Sequence, residues 1–411
     1  MENKKDLKIL SMTLILGFAS GLPLALSSGT LQAWLTIEGV DLKTLGWLSL
    51  VGLPYTYKFV WAPVIDRYRL PFNLAGRRRG WMVFFLLGMA FLLLLISQTN
   101  PKEEFGILHI AALALLLAFF SASFDVVFDA WRAESLSKRL LGLGAAWSVI
   151  GYRVAMLTSG GLALMLADFY LGFDGVYKLL ALICLVLSIL AFFSPEPKKT
   201  NTPPTLMKAV VEPFKEFFSR NGAVTVLITI IMYKFGDAFT ASLSTAFLIR
   251  GAGFSPAEVG AVSKGAGLIA ILIGGLLGGL ILTKFSLLKC LLFFGILQAI
   301  TNLGFLWLAS YEANITSMAI VIILENLAGG MGTAAFVALL MTLCDSRFTA
   351  TQFALLSALA SIGRVFVGPI AGEISYNYGW QIFFLLSFII AIPGILMLYW
   401  LKSPLQKIGN Q

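Results

Sequence analysis

The chain has 411 residues, 58% of them hydrophobic and only 12% charged, with a formal net charge of +9. An ordinary soluble domain carries roughly 25% charged residues, so this chain cannot cover itself with polar groups and takes lipid as its solvent. One histidine and three cysteines spread through apolar runs (Cys184, Cys290, Cys344) leave no material for a disulfide framework, a metal cluster or a Ser-His-Asp centre.

Windows apolar enough to cross a bilayer at about 1.5 Å per residue predict about twelve helices. They cover 7–35, 44–66, 80–97, 107–133, 142–167, 176–194, 222–249, 256–283, 287–310, 315–343, 349–374 and 379–401. The opening MENKKDLKILSMTLILGF mimics a signal peptide. Its apolar run continues too far and lacks a small-x-small cleavage site, so an uncleaved first helix is expected, carrying Gln32 and Trp34 near its end. The second window holds Tyr55 and Lys58 and runs into APVIDRYRLPFNLAGRRRGW, where Asp66-Arg67 precedes Arg77-Arg78-Arg79.

The fourth window ends in FFSASFDVVFDAW (119–131), with Asp125 and Asp129 four residues apart and so on one helical face. A charge at the bilayer centre costs about 2.5–3.5 kcal/mol on insertion scales, which marks such residues as functional by default. Arg132 and Glu134 follow at the cytoplasmic end. The fifth window carries Tyr152 and Arg153. A short loop makes the fourth and fifth helices antiparallel and sets Asp125 and Arg153 at similar depth, so an ion pair between them is expected.

The longest connection, SPEPKKTNTPPTLMKAVVEPFKEFFSRNG, divides the windows six and six. Residues 1–194 are expected to form one six-helix bundle, 195–221 a cytoplasmic linker, and 222–411 a second bundle. Within the linker Leu206, Val210, Phe214 and Phe217 share a helical face, as an interfacial amphipathic helix would require. The seventh window carries Lys234 and Asp237, spaced for a local pair; Lys234 is read either as a cargo ligand or, if that pair is satisfied, as a structural residue. In KGAGLIAILIGGLLGGLI (264–281), Gly274/Gly278 and Gly275/Gly279 form two small-xxx-small pairs that allow close helix approach. The tenth window carries Glu325, Asn326 and the run LAGGMGT. No strand precedes that run and no GK[ST] follows it, so it is not a phosphate loop. Arg364 lies in the eleventh window.

Of the 30 Lys and Arg residues, 21 fall on the side that holds both termini, and only Lys43, Lys102, Lys178 and Arg250 on the other. The positive-inside rule makes the first side cytoplasmic. The net charge is therefore topology, and no nucleic-acid partner is implied. Five basic residues remain inside the windows (Lys58, Arg153, Lys234, Lys264, Arg364) against four acids (Asp125, Asp129, Asp237, Glu325). That balance suits an anionic cargo, with Arg as a bidentate fork for carboxylates and Lys as a point charge. Sugars would call on Trp34, Tyr55, Tyr57, Tyr152, Gln32 and Asn326, although plain packing is the simpler explanation for any single aromatic. Asp125 and Asp129 are the candidate proton-coupling residues. In one reading Asp125 takes a proton and frees Arg153; in the rival reading the two are a static pair. A gate contact with the Asp66-Arg67 loop is favoured for Asp129, with Arg132 and Glu134 in the same gate.

Twelve windows with a basic central loop match the two-bundle plan of the major facilitator transporters, whose site lies between the halves near mid-membrane. The Asp66-Arg67 and Arg77-Arg78-Arg79 run resembles the signature between helices 2 and 3 of that superfamily. More specific are LPYTYKFVWAPVIDRY, FDVVFDAWRAE, GYRVAMLTSGGLAL, MYKFGDAFTASLSTAFLIRGAGF and the long string from Glu325 to Gly372. Together they closely resemble the AmpG-like muropeptide permease family, from about residue 10 to residue 400. The resemblance implies an all-α protein of the bacterial inner membrane that imports N-acetylglucosaminyl-anhydro-N-acetylmuramic acid, with or without stem peptide, driven by protons. It implies a monomer, both termini cytoplasmic, with no cofactor. The best-known members of the family continue past the twelfth helix. Phe124 stands where many relatives carry glutamine. Other expectations are a transporter of another anionic or glycosylated solute, such as an acetyl-CoA-like cargo or a drug, a multi-span membrane enzyme, or a channel. No loop is long enough for an independent catalytic domain, and a two-bundle plan implies rocking around an occluded site.

Overall fold

The computed structural model describes residues 2–62, 65, 68, 76–136, 140–197, 215–220, 222–343 and 349–400. All secondary structure among them is helical. The elements are α1 (Glu2–Leu26), α2 (Gly29–Ile37), α3 (Leu42–Trp47), α4 (Leu53–Tyr57), α5 (Arg77–Gln98), α6 (Gly106–Ser135), α7 (Leu141–Met156), α8 (Gly172–Phe192), α9 (Ala223–Ala246), α10 (Gly267–Leu282), α11 (Leu287–Ser310), α12 (Ile315–Thr342) and α13 (Thr349–Trp400).

Among the described residues nine continuous helical runs are long and apolar enough to cross a bilayer. Two of these, Trp147–Phe192 and Gly363–Trp400, each join most or part of two neighbouring predicted windows. At Gly379 the backbone takes φ 78°, which turns the chain between the two legs of α13 as glycine permits. The second window is the broken one. Its helix is cut into α3, a tight turn over Leu48–Gly52, α4 and a second tight turn over Lys58–Val60. Pro54, which has no N–H to donate and crowds the preceding turn, lies inside this interrupted run.

By contacts, residues 1–38 and 51–204 form one compact unit, and 39–50 with 205–411 form another. In the first unit α1 lies directly on α7. A Cβ at Gly17 would stand 2.5 Å from the Ser148 carbonyl oxygen, and one at Gly21 would stand 2.6 Å from that of Tyr152. Only glycine allows that approach.

In the second unit α10 and α12 meet in the same way. A Cβ at Gly278 would stand 2.7 Å from the Met331 Cα, and Gly274 lies against the Leu327 carbonyl. The other predicted pair does not share the seam. Gly275 reaches only 4.0 Å from the Gly330 oxygen and Gly279 has nothing within 4 Å, because one residue further on turns about 100° round the helix. Residues 39–50 join this unit through Gly46, which sits on Gly368 and Gly372, through Ser49 Oγ donating to the Val365 carbonyl at 2.7 Å, and through a Lys43–Glu373 pair at 2.7 Å.

Of the predicted linker face, Leu206, Val210 and Phe214 lie outside the described residues. Phe217 is buried in the core of the second unit beside Ala223, Val226 and Leu227, so protein rather than lipid covers it. Arg220 ties that turn down by donating to the Leu343 carbonyl and to Glu216. Cys184 and Cys290 are buried free thiols. Exposed Leu276, Leu280, Phe91 and Ile189 are what a lipid-facing surface presents.

Candidate functional site

Charged side chains inside the apolar runs gather in two places, one in each unit. In the first, Asp125 on α6 accepts a hydrogen bond from Ser20 Oγ at 2.6 Å, and its other oxygen lies 4.0 Å from Lys58 Nζ. The Asp125 side chain is 16% exposed and that of Lys58 36%, so the pair is only partly enclosed by protein. The Gly17/Gly21 seam carries Ser20 into place, because it holds α1 close enough for a short side chain to reach α6. Lys58 comes from the tight turn that ends α4.

Arg153 does not pair with Asp125. Its Nη1 lies 3.9 Å from Met156 Sδ and its Nε is buried without a partner. The predicted depth does not decide the contact; the direction round the helix does. Gly151 faces α1, where a Cβ would stand 2.8 Å from the Phe18 nitrogen. Two residues later Arg153 has turned about 200° away from that seam.

Asp129 is more than half exposed and pairs with Arg132 at 3.0 Å on its own helix. Arg132 also donates to Ser148 Oγ at 3.0 Å. Asp66 and Arg67 lie outside the described residues. Glu134 accepts from both Arg77 (3.1 Å) and Arg78 (2.5 Å), and Arg78 is buried. Burial raises the Glu134 carboxyl, but the bonds and charges of Arg78 and Arg77 outweigh it and hold the group below its ordinary value. Nearby, Glu196 accepts from the backbone N–H groups of Arg77 (2.7 Å), Arg78 (2.9 Å) and Arg79 (3.1 Å), occupying the donors that open α5.

The aromatic candidates divide. Trp34 is 5% exposed and packs against Phe173 and Tyr177, so it belongs to the core and offers no open face to a sugar. Tyr152 and Gln32 are half-buried. The Tyr55 hydroxyl faces Ser121 and Ser27 beside Asp125.

In the second unit, Lys234 and Asp237 form the predicted local pair at 3.1 Å, with side chains 19% and 20% exposed. Lys234 also lies over the Tyr233 and Phe336 rings, at 5.9 and 5.5 Å from their centroids. Arg364 on α13 is exposed and acts on the Asp237 carboxylate through its charge. Asn326 Nδ2 donates to Glu325 Oε2 and to the Ile322 carbonyl, both at 2.9 Å. Lys264, in the widened π turn Gly260–Ala266, attracts Glu325.

The cluster thus brings together five of the predicted residues: Lys234, Asp237, Glu325, Asn326 and Arg364. Sequence reasoning missed Ser20, although the small residues of GFASG mark a close helix seam. It also missed Gln298, a buried carboxamide close to the Asp237 carboxylate. Gln298 and Asn302 share the i, i+4 spacing that singled out Asp125 and Asp129. No group of metal-ligating side chains occurs among the described residues.

Set against known proteins, the chain matches the Major Facilitator Superfamily model over residues 10–352 and 227–411. It is 51% identical to the anhydromuropeptide permease of Escherichia coli K12, over 96% of this chain and 80% of that protein. It is 38% identical to an uncharacterized protein of Haemophilus influenzae, over 96% and 94%. The solved nucleoside transporter NupG superposes with a TM-score of 0.75 at 11% identity, covering 96% of this chain and all of that one, which shows a shared fold. On the strength of the family match and the extent of that identity, the chain is a multi-pass membrane transporter, not an enzyme, and belongs to the major facilitator superfamily and within it to the AmpG-like muropeptide permeases.

Proposed function

We propose that the protein is a proton-coupled importer of anhydro-muropeptides, acting as a monomer in the bacterial inner membrane with both termini cytoplasmic. The observation that carries the cargo is 51% identity over 96% of the chain to a protein named for that cargo. Two helix bundles, over 1–194 and 222–411 and joined by the linker 195–221, are the plan of an alternating-access carrier.

Asp125 is suited to the coupling step. Ionised, it accepts the Ser20 hydroxyl and attracts Lys58; protonated, it gives up that attraction and leaves Lys58 free to bind an anion. A proton thus changes which helices are held together, and that is the differential interaction an alternating equilibrium requires. Lys234, Lys264 and Arg364 outnumber Asp237 and Glu325 in the second cluster. They suit the carboxylates of a stem peptide, while Asn326, Tyr55, Tyr152 and Gln32 supply hydrogen bonds for sugar hydroxyls.

The test is uptake of labelled anhydro-disaccharide peptide into vesicles holding the protein, with and without an imposed pH difference. Accumulation above the outside concentration only with the gradient supports the proposal. Equilibration to the same level in both removes proton coupling, and no uptake removes the cargo.

A further inference from the structure

The acids nearest the cytoplasmic half of the first unit already have partners. Asp125 has Ser20 and Lys58, Asp129 has Arg132, and Glu134 has Arg77 and Arg78. Arg153 is left over. No carboxylate among the described residues pairs with it: Nη1 touches the Met156 thioether at 3.9 Å, a weak acceptor, and Nε is buried without a partner.

Its depth rules out the usual remedies. The helix that begins at Leu141 continues through two widened turns to Leu171, so Arg153 stands twelve residues from one end and eighteen from the other. At about 1.5 Å per residue it lies about 18 Å from the nearer end, in the middle part of a hydrocarbon layer about 30 Å thick. An arginine near a helix end lays its stem along the helix and puts its head among the lipid headgroups. From this depth the side chain is too short to do so, and a lipid phosphate is out of its reach. Its neighbours one turn away on either side, Val149, Ile150 and Leu157, are exposed, so this face of the helix is open and otherwise apolar. A full positive charge on such a face calls for an anion that the protein itself admits to the membrane interior.

We propose that Arg153 is a specificity-determining residue that reads a carboxylate on the cargo: the guanidinium leaves the Met156 thioether and presents Nε and a neighbouring Nη to the two carboxylate oxygens as a fork. This rests on the reading above that the protein imports anhydro-muropeptides, whose anionic groups are carboxylates. Two charge-assisted hydrogen bonds replace one soft contact and one unmet donor, so the exchange is favourable. Lys58 answers to Asp125 and its availability changes with that group. Arg153 answers to no acid, so its charge is on offer whether Asp125 is ionised or protonated.

The test compares vesicle uptake of labelled anhydro-disaccharide tetrapeptide with uptake of the same molecule after its carboxyls are converted to methylamides. The parent, Arg153→Gln and Arg153→Lys are measured side by side. The parent is expected to prefer the acid. Arg153→Gln should shrink that preference about tenfold by raising KM for the acid alone, the scale of one hydrogen bond to a charged group. Arg153→Lys keeps the charge without the fork and should fall between. Because Arg153 holds no counter-charge, Arg153→Gln should not lower Tm in detergent, and the acid cargo should raise the Tm of the parent more than that of the variant. Equal losses on both cargoes, or a fall in Tm with the preference unmoved, would overturn the proposal in favour of packing or coupling. If the parent takes up neither molecule, the muropeptide reading fails and the proposal falls with it. If the parent takes up the acid and Arg153→Gln keeps the full preference, only the role of Arg153 fails.

Discussion

Each unit sets one partly buried aspartate beside one lysine, and the two pairs are built differently. Asp237 and Lys234 are three residues apart on one helix and lie 3.1 Å from each other. Asp125 takes its hydroxyl partner from a helix 105 residues earlier in the chain, and its lysine stands off at 4.0 Å on a third segment. A local pair travels with its helix whatever the helix does, so its charge is a constant of the unit. A pair assembled from three segments exists only while those segments are packed together. The first arrangement suits binding and the second suits switching.

The sharpest way to break that contrast is to neutralise each acid in turn. Asp125→Asn should abolish gradient-driven accumulation while cargo exchange without a gradient persists. Asp237→Asn should leave accumulation coupled to the gradient and change KM instead. Asp129→Asn, which loses only an exposed pair with Arg132, should slow uptake without uncoupling it. Vesicle uptake at an imposed pH difference, at equal protein level, separates all three. If Asp237→Asn also uncouples, the distinction between the units is wrong.

Next in size is the Glu134 cluster, a structural pair against which the functional ones can be measured. Glu134→Gln leaves the Arg78 guanidinium buried and short of a counter-charge, which should cost about 3–5 kcal/mol and appear as a lower Tm in detergent. Because the Glu134 carboxyl is held below its ordinary value of 4.5, its stabilisation is complete above that pH and is lost as pH falls through the depressed value. A parent Tm that fell on acidification in step with the variant's would argue that Glu134 is not responsible.

The glycine seams sharpen the comparison further. Gly274→Ala drives a methyl into the Leu327 carbonyl, and backbone cannot give way as a side chain can, so a loss of about 1–3 kcal/mol is expected. Gly279→Ala meets nothing within 4 Å and should change stability by less than about 1 kcal/mol, on the stabilising side. Differential scanning of both variants checks the pair. Smallest of all is Lys43→Ala, since Lys43 and Glu373 are about half exposed and water already solvates them. No measurable shift in Tm is expected.

Much of the architecture was legible in the residues alone. Composition demanded lipid as solvent, and window length counted the helices, because a bilayer imposes one thickness on every span. The i, i+3 spacing of Lys234 and Asp237 sufficed for their pair, since one turn of helix brings such side chains together regardless of the rest of the chain. What the sequence could not decide was direction round a helix. Equal depth made Arg153 a partner for Asp125, yet the Gly17/Gly151 seam turned Arg153 away, while Ser20 from α1 and Lys58 from the turn after α4 meet Asp125 instead. Trp34 could be read along the chain as a sugar platform or as plain packing, and Phe173 and Tyr177 close over it as packing requires. Local spacing is a property of one helix and can be read along the chain. Which side chain meets which across helices is set by close packing, and only the assembled structure contains it.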